Sequence, residues 1–213
     1  MTERHAWAQA AGTWLADGIA RDAHPPVLGV CFGHQLLADV LGGRVDWCTH
    51  GNLGTSTLRA EHDACEADEL FSVVRDRRAM LVQVAHRQCV HELPRGAVVL
   101  MRSAANDHAY VARLAPRVWG VQYHPEMSEQ GVKAIIARSR ERLLREGPHP
   151  DAIAAAVRPT PDGGLVLRRF VELCLDHWTG LAGGARSGAR PGTSRDGRGG
   201  DGEARAAAAK ARL

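Results

Sequence analysis

The chain has 213 residues, 45% of them apolar and only 5% aromatic, enough for one compact domain with a sizeable core plus extensions. Its formal charge of +3 is concentrated in the last stretch, where seven Lys/Arg face three Asp/Glu between Gly183 and Leu213; residues 1–182 are left near neutrality, which argues against nucleic acid as a partner. The five cysteines, Cys31, Cys48, Cys65, Cys89 and Cys174, are odd in number and form no C-x-x-C pair, which excludes a disulfide framework and points to a reducing cytoplasm.

Residues 1–5 lead into no apolar run, so no signal peptide is read there. No apolar stretch approaches the roughly 20 residues of a membrane helix. Trp7, Ala11, Trp14, Leu15 and Ile19 recur at helical spacing, predicting an amphipathic helix over 5–20 with Trp7 and Trp14 as core anchors. Pro25-Pro26 stops helix propagation, and Val27-Leu28-Gly29-Val30 reads as a short buried strand of the kind found in parallel sheets. A helix over 32–41 follows, closed by Gly42-Gly43. Between Arg44 and Leu114 the pattern is one of short strands, at 55–59, 80–84, 97–101 and 109–114, which suggests that part of the sheet is antiparallel. Residues 118–123 form a further strand that runs into His124-Pro125. A long amphipathic helix is expected over about 129–146, with Arg138, Arg140, Arg142 and Arg145 on a solvated face, and a last helix over about 164–179. From Gly183 the composition turns to Gly, Arg, Ser and Ala, too poor in apolar surface to offset its ordering entropy. The expected organisation is a domain over 1–182 and a disordered tail over 183–213. Alternating strands and helices predict an α/β domain with an open, mostly parallel sheet and helices on both faces.

Two motifs carry chemistry. Gly29-Val30-Cys31-Phe32-Gly33 is a G-x-C-x-G at a strand-to-helix junction, the setting of a nucleophile elbow. A nucleophile there sits on a strained turn, and side chains two residues away on either side would collide, so glycine is expected at Gly29 and Gly33. The helix N-terminus favours the Cys31 thiolate, and the Phe32 backbone N–H can donate to an oxyanion. The motif alone is equally well read as a buried cysteine in a tight turn. The second motif is Gln122-Tyr123-His124-Pro125-Glu126. His124 should emerge at a sheet edge with Glu126 on the same side, holding one imidazole nitrogen while the other faces a thiol. A surface His-Pro turn is the plainer reading of that motif taken alone.

Together, Gly29-Val-Cys-Phe-Gly-His-Gln35 and Gly120-Val-Gln-Tyr-His-Pro-Glu126 resemble the class I glutamine amidotransferases, in particular stand-alone proteins similar to the amidotransferase domain of GMP synthase. The resemblance covers about residues 1–178. It implies a flavodoxin-related sheet, Cys31 as nucleophile, His124 as general base and acid, Glu126 as orienting carboxylate, and Gln35 in a position that helps bind substrate. The implied reaction is hydrolysis of the glutamine side-chain amide through a γ-glutamyl thioester, without metal or organic cofactor. The chain departs from the family in two ways. The Gly-rich loop that supplies a second oxyanion donor is not found before Cys31, so N-terminal elements of the fold are expected to be missing. No synthetase domain follows, so the ammonia acceptor would be a separate protein such as a synthetase, or none exists. Two alternatives stand beside this reading: a γ-glutamyl peptidase using the same triad on another γ-glutamyl amide, and a non-catalytic partner-binding protein.

Other residues have blander readings. His86, Cys89 and His91 lack a fourth metal ligand at sensible spacing. The resemblance implies that His86 packs near the site and that His34 is not the base.

Overall fold

The computed structural model describes residues 5–21 and 24–187. The tail expected over 183–213 lies outside them from residue 188 onward.

In chain order, α1 (Ala6–Ile19) precedes β1 (Val27–Val30) and α2 (Phe32–Val40). Four strands follow, β2 (Arg44–Ala60), β3 (Ala79–Glu92), β4 (Val98–Ser103) and β5 (Ala109–Ala115), with α3 (His62–Glu66) and a 3-10 turn at Phe71–Val74 between β2 and β3. Then come β6 (Val118–Val121), α4 (Glu129–Arg138), α5 (Arg140–Glu146), α6 (Pro150–Ala156) and α7 (Pro161–Ser187). The strands form one sheet in the order β1-β6-β5-β4-β2-β3.

The α/β class holds, but the parallel character is confined to one pairing, β1 with β6. The other four pairings are antiparallel. Connection length explains the difference. A parallel pair needs a crossover of a dozen or more residues, whereas antiparallel neighbours can be joined by short turns. β4, β5 and β6 follow one another at such short intervals, while β1 and β6 are separated by most of the domain. β1 stands at the edge of the sheet, with β6 as its partner among the described residues.

Helices lie on both faces. Leu28, Val30, Trp119 and Val121 point into the main core with Phe71 and with Val166, Phe170 and Leu173 of α7. Val27 and Val118 point the other way, against Leu37 of α2 and against Leu15 and Ile19 of α1. This is the period-2 alternation of strands buried on both sides.

Three sequence expectations need correction. Trp7 and Trp14 are not core anchors: they are 63% and 75% exposed. The buried Ala8 and Gly12 of α1 allow close helix approach, which leaves the Trp14 indole outward and the Trp7 indole lying beside Phe32 of α2, ring centroids 5.5 Å apart. The helix expected over 129–146 is broken at Ser139 into α4 and α5. Serine competes poorly in a helix interior, and the break lets Leu143 join the cluster of Val132, Ile136 and Val157. The last helix is longer than expected, starting at Pro161 and running past the composition change to Ser187.

Candidate active site

The site is built where the two parallel strands end. Cys31 follows β1 and has φ 48° and ψ −100°, a left-handed conformation that costs a non-glycine residue of order 1–3 kcal/mol and persists only where the surroundings hold it. The hold is visible: the Cys31 N–H donates to the Val121 carbonyl at 2.8 Å and its carbonyl accepts from Gln35 N at 3.1 Å. Glycine is required on one side of the elbow only. A Cβ on Gly29 would stand 2.7 Å from the Gly33 backbone and 2.6 Å from Leu37 Cδ1, whereas a Cβ on Gly33 would meet nothing within 4 Å. The expected collision therefore applies to Gly29; Gly33 supplies the backbone against which Gly29 packs.

Burial raises the Cys31 thiol above its ordinary pKa, and the charge of Glu126 adds to this; the Phe32 N–H and the Gln122 amide act in the opposite sense but do not prevail. The helix N-terminus alone therefore does not deliver a thiolate, contrary to the sequence expectation, because desolvation outweighs two hydrogen-bond donors. The Phe32 N–H does donate to the sulfur, so it lies at the nucleophile, where the expected oxyanion would form.

His124 comes three residues after β6, so the parallel register of Val30 with Val121 brings it out at the same end of the sheet as Cys31. Its backbone N–H is fixed on the Gln83 carbonyl at 2.8 Å. Its Nδ1 lies 2.6 Å from Glu126 Oε1, as the spacing across Pro125 predicts; Glu126 itself is half exposed. The second imidazole nitrogen is thereby left as the one available to a thiol. Among the described residues, the side-chain partner of the Cys31 sulfur is Gln122 Nε2, at 3.5 Å, rather than His124.

Gln35 lies inside rather than open to a ligand, 4% exposed. Its amide donates to the Gln88 carbonyl at 2.7 Å and to Gln122 Oε1 at 3.1 Å. A continuous chain thus runs from the β3 backbone through Gln35 and Gln122 to the thiol. Gln122 stands within the second motif, where the sequence pattern assigns it no role. The available signal was a polar side chain between Val121 and Tyr123, where an apolar one would be expected in a buried strand end. β3 is last in hydrogen-bonding order, yet it reaches the site through Gln83 and Gln88, so the sheet curls back towards β6.

His34 is fully buried, and neither ring nitrogen has a partner among the described residues. Its ring fills the place a Cβ on Gly120 would take, only 2.0 Å from Nδ1. Burial, with the neighbouring His86, lowers its pKa to about 4, so it is a neutral packing group. Burial likewise lowers His86 to about 4; His86 Nδ1 lies 3.0 Å from the Gln88 carbonyl. The structure brings Cys48 to His86 and Cys89. Even so, no group of three or more His, Cys, Asp or Glu among the described residues is arranged to hold a metal ion. A cavity of about 570 Å³ lies away from Cys31, lined by Trp47, Cys48, Asn52, Arg87, Ile135 and Arg142 among others. None of the described helices is long and apolar enough to cross a membrane.

Known proteins resemble this chain in sequence and in fold. The chain is 32% identical over 177 residues to the GMP synthase (glutamine-hydrolyzing) of Tolumonas auensis, covering 78% of this chain and 31% of that protein. It is 34% identical over 102 residues to the enzyme of the same name from Staphylococcus aureus, covering 48% of this chain and 18% of that one. The chain thus spans about a third or less of the length of these relatives. Among solved structures, a glutamine amidotransferase from Thermotoga maritima superposes with a TM-score of 0.60 at 22% identity, over 77% of this chain and 68% of the other. A glutamine amido transferase from Methylobacillus flagellatus gives 0.57 at 23% identity, over 92% and 76%. These two likenesses establish the fold. The family model for glutamine amidotransferase class-I matches residues 7–139, more than half of the chain and inclusive of both motifs, and the chain belongs to that family.

Proposed function

We propose that the chain hydrolyses the side-chain amide of glutamine, with Cys31 as nucleophile, His124 as general base and acid, and Glu126 as the carboxylate that orients it. The observation that carries the proposal is the strained Cys31 at the end of β1, set beside the strand whose continuation holds the 2.6 Å His124–Glu126 contact. Strain of this kind is retained where function needs it.

The proposed roles run in this order. The thiol is protonated at rest because burial raises it, so it must lose its proton to a base as substrate arrives. The imidazole nitrogen of His124 that does not face Glu126 is the acceptor. The thiolate attacks the amide carbon, and the oxygen that takes up the charge is met by the Phe32 N–H. Collapse releases ammonia, protonated through His124, and leaves a γ-glutamyl thioester. Water, activated by the same imidazole, then frees glutamate and restores the thiol. Gln122 contacts the sulfur and Gln35 holds Gln122, so both act as positioning residues. No cofactor takes part in this half-reaction, and a separate synthetase is the proposed acceptor of ammonia.

The test measures glutamate and ammonia release from glutamine beside cysteinylglycine release from glutathione. Release from glutamine alone, lost in Cys31→Ala, supports an amidotransferase. Release from glutathione alone replaces it with a γ-glutamyl peptidase. No release from either, with a folded protein, leaves a partner-binding role.

A further inference from the structure

A second cysteine centre lies on the hairpin of β2 and β3. Asp46 pairs with Cys89 and Trp47 with Gln88; the register then slips, and pairing resumes at Asn52 with His86. Cys48 falls in the slip. The bulge turns its side chain onto the neighbouring strand, and its sulfur lies 2.7 Å from Cys89 Sγ. Two thiols that merely pack stand farther apart, while a disulfide needs about 2.05 Å. Two histidines attend the pair, with His91 Nε2 3.6 Å from Cys89 Sγ and His86 Nδ1 3.8 Å from Cys48 Sγ. Cys48 also lines the 570 Å³ cavity, which brings small solutes to the thiol pair although Cys89 itself is only 2% exposed. The other cysteines offer a contrast: Cys65 is fully buried and bonded to the Leu100 carbonyl at 3.0 Å, and no second thiol lies beside Cys31 or Cys174 among the described residues.

We propose that Cys48 and Cys89 form a reversible cross-strand disulfide, made by a hydroperoxide and undone by a thiol reductant. The proton arrangement suits the reaction. Cys48 donates its S–H to Cys89, which raises the Cys48 thiol and lowers that of Cys89; Cys89 is therefore the more readily ionised of the two, and the thiolate is the reactive form. The Cys89 thiolate attacks one oxygen of hydrogen peroxide, the O–O bond breaks, and hydroxide leaves with a proton from solvent as water. The Cys89 sulfenic acid is then displaced by the Cys48 sulfur, the S–S bond forms, and the hydroxyl leaves as a second water with the Cys48 proton. Two thiols are oxidised by two electrons and one peroxide is reduced to two waters. The bond would fix the bulge one residue from Gln88, whose carbonyl holds Gln35 and, through Gln122, the Cys31 sulfur.

The test uses the full chain treated with one to a few equivalents of hydrogen peroxide, blocked with N-ethylmaleimide, digested and analysed by mass spectrometry without reduction. The expected result is a peptide pair joining Cys48 to Cys89, lost after dithiothreitol and absent from Cys48→Ser and Cys89→Ser. The oxidised protein is expected to melt a few degrees higher, since a cross-link restricts the unfolded chain. Recovery of both cysteines as maleimide adducts while Cys31 is oxidised would overturn the proposal, as would a disulfide joining either of them to Cys31. Protection of both thiols by one equivalent of zinc in the untreated protein, lost on chelation, would replace it with a metal site. These readings come from the unmutated protein, so they stand even if a serine variant folds poorly.

Discussion

The two ends of the sheet are built on opposite terms. At one end β1 is four residues long and stands at the edge, and it passes directly into a residue with positive φ. At the other end β2 and β3 are 17 and 14 residues long and pair through twelve registered positions. The long hairpin and the main core beneath it, with Leu58, Met80, Val82 and Val84, supply the stable body. The short parallel pair spends some of that stability on a strained cysteine. The comparison teaches that the end carrying the candidate site is the locally unfavourable one, and that it is held by contacts from the robust end: the Gln83 carbonyl on His124 and the Gln88 carbonyl on Gln35.

The sharpest way to break that comparison is at Cys31. Cys31→Ala is expected to lower glutaminase turnover about 10⁴-fold or more, as loss of a nucleophile does, with a far-ultraviolet spectrum unchanged. If φ 48° is strain, Cys31→Gly should be equally inactive yet melt a few degrees above Cys31→Ala. Equal melting temperatures for the two would mean the elbow stores nothing.

Next in size is Glu126→Gln. It keeps the shape but removes the charge that faces His124 at 2.6 Å, and a loss of about 10²-fold in kcat is expected, within the range that general acid–base catalysis supplies. Because the same carboxylate raises the Cys31 thiol, the alkylation profile of Cys31 in this variant should shift to lower pH. A profile that moves to higher pH, or does not move, would separate Glu126 from the thiol.

The two elbow glycines sharpen the comparison through stability rather than rate. Gly29→Ala drives a Cβ into the Gly33 backbone and should cost about 1–3 kcal/mol, several degrees in melting temperature at this size. Gly33→Ala, with open space at its Cβ, should change melting by less than a degree or two. Equal losses would show that both flanks are crowded after all.

The last test uses pH, and it probes the buried histidines rather than the elbow. His34 and His86 both titrate near 4 in the folded protein and near 6.5 when unfolded. The unfolded chain thus binds more protons between those values, so their contribution to stability is intact above pH 6.5 and declines as the pH falls towards 4. Melting temperature should drop across that window, and His34→Asn should flatten the decline. A slope unchanged by the substitution would assign the decline to other groups.

How far the sequence disclosed this molecule depended on range. The elbow was legible because five consecutive residues carry it, and the His124–Glu126 contact because a single proline separates its members. The pairing of the remaining strands was not legible, since hairpin partners are chosen by register and turn geometry across dozens of residues. The exposed Trp7 and Trp14 were misread because helical spacing identifies a stripe without saying which neighbouring stripe, here Ala8 and Gly12, admits the closest packing. The thiol pair of the hairpin was hidden for the same reason: 41 positions separate Cys48 from Cys89, and only a register slip brings their sulfurs together.

The parallel pairing of β1 with β6 also has a consequence in time. Cys31 and the Gln122 amide that meets it are 91 positions apart, and the carbonyl that fixes the elbow, that of Val121, is supplied from the same late stretch. On a ribosome adding about 5–20 residues per second, this cysteine spends on the order of ten seconds as an ordinary, relaxed side chain of an unfinished chain. The hairpin of β2 and β3 emerges earlier and can close first, since shorter loops cost less entropy to form. The turn that makes Cys31 special is therefore imposed late, when the stretch that carries His124 has also been synthesised.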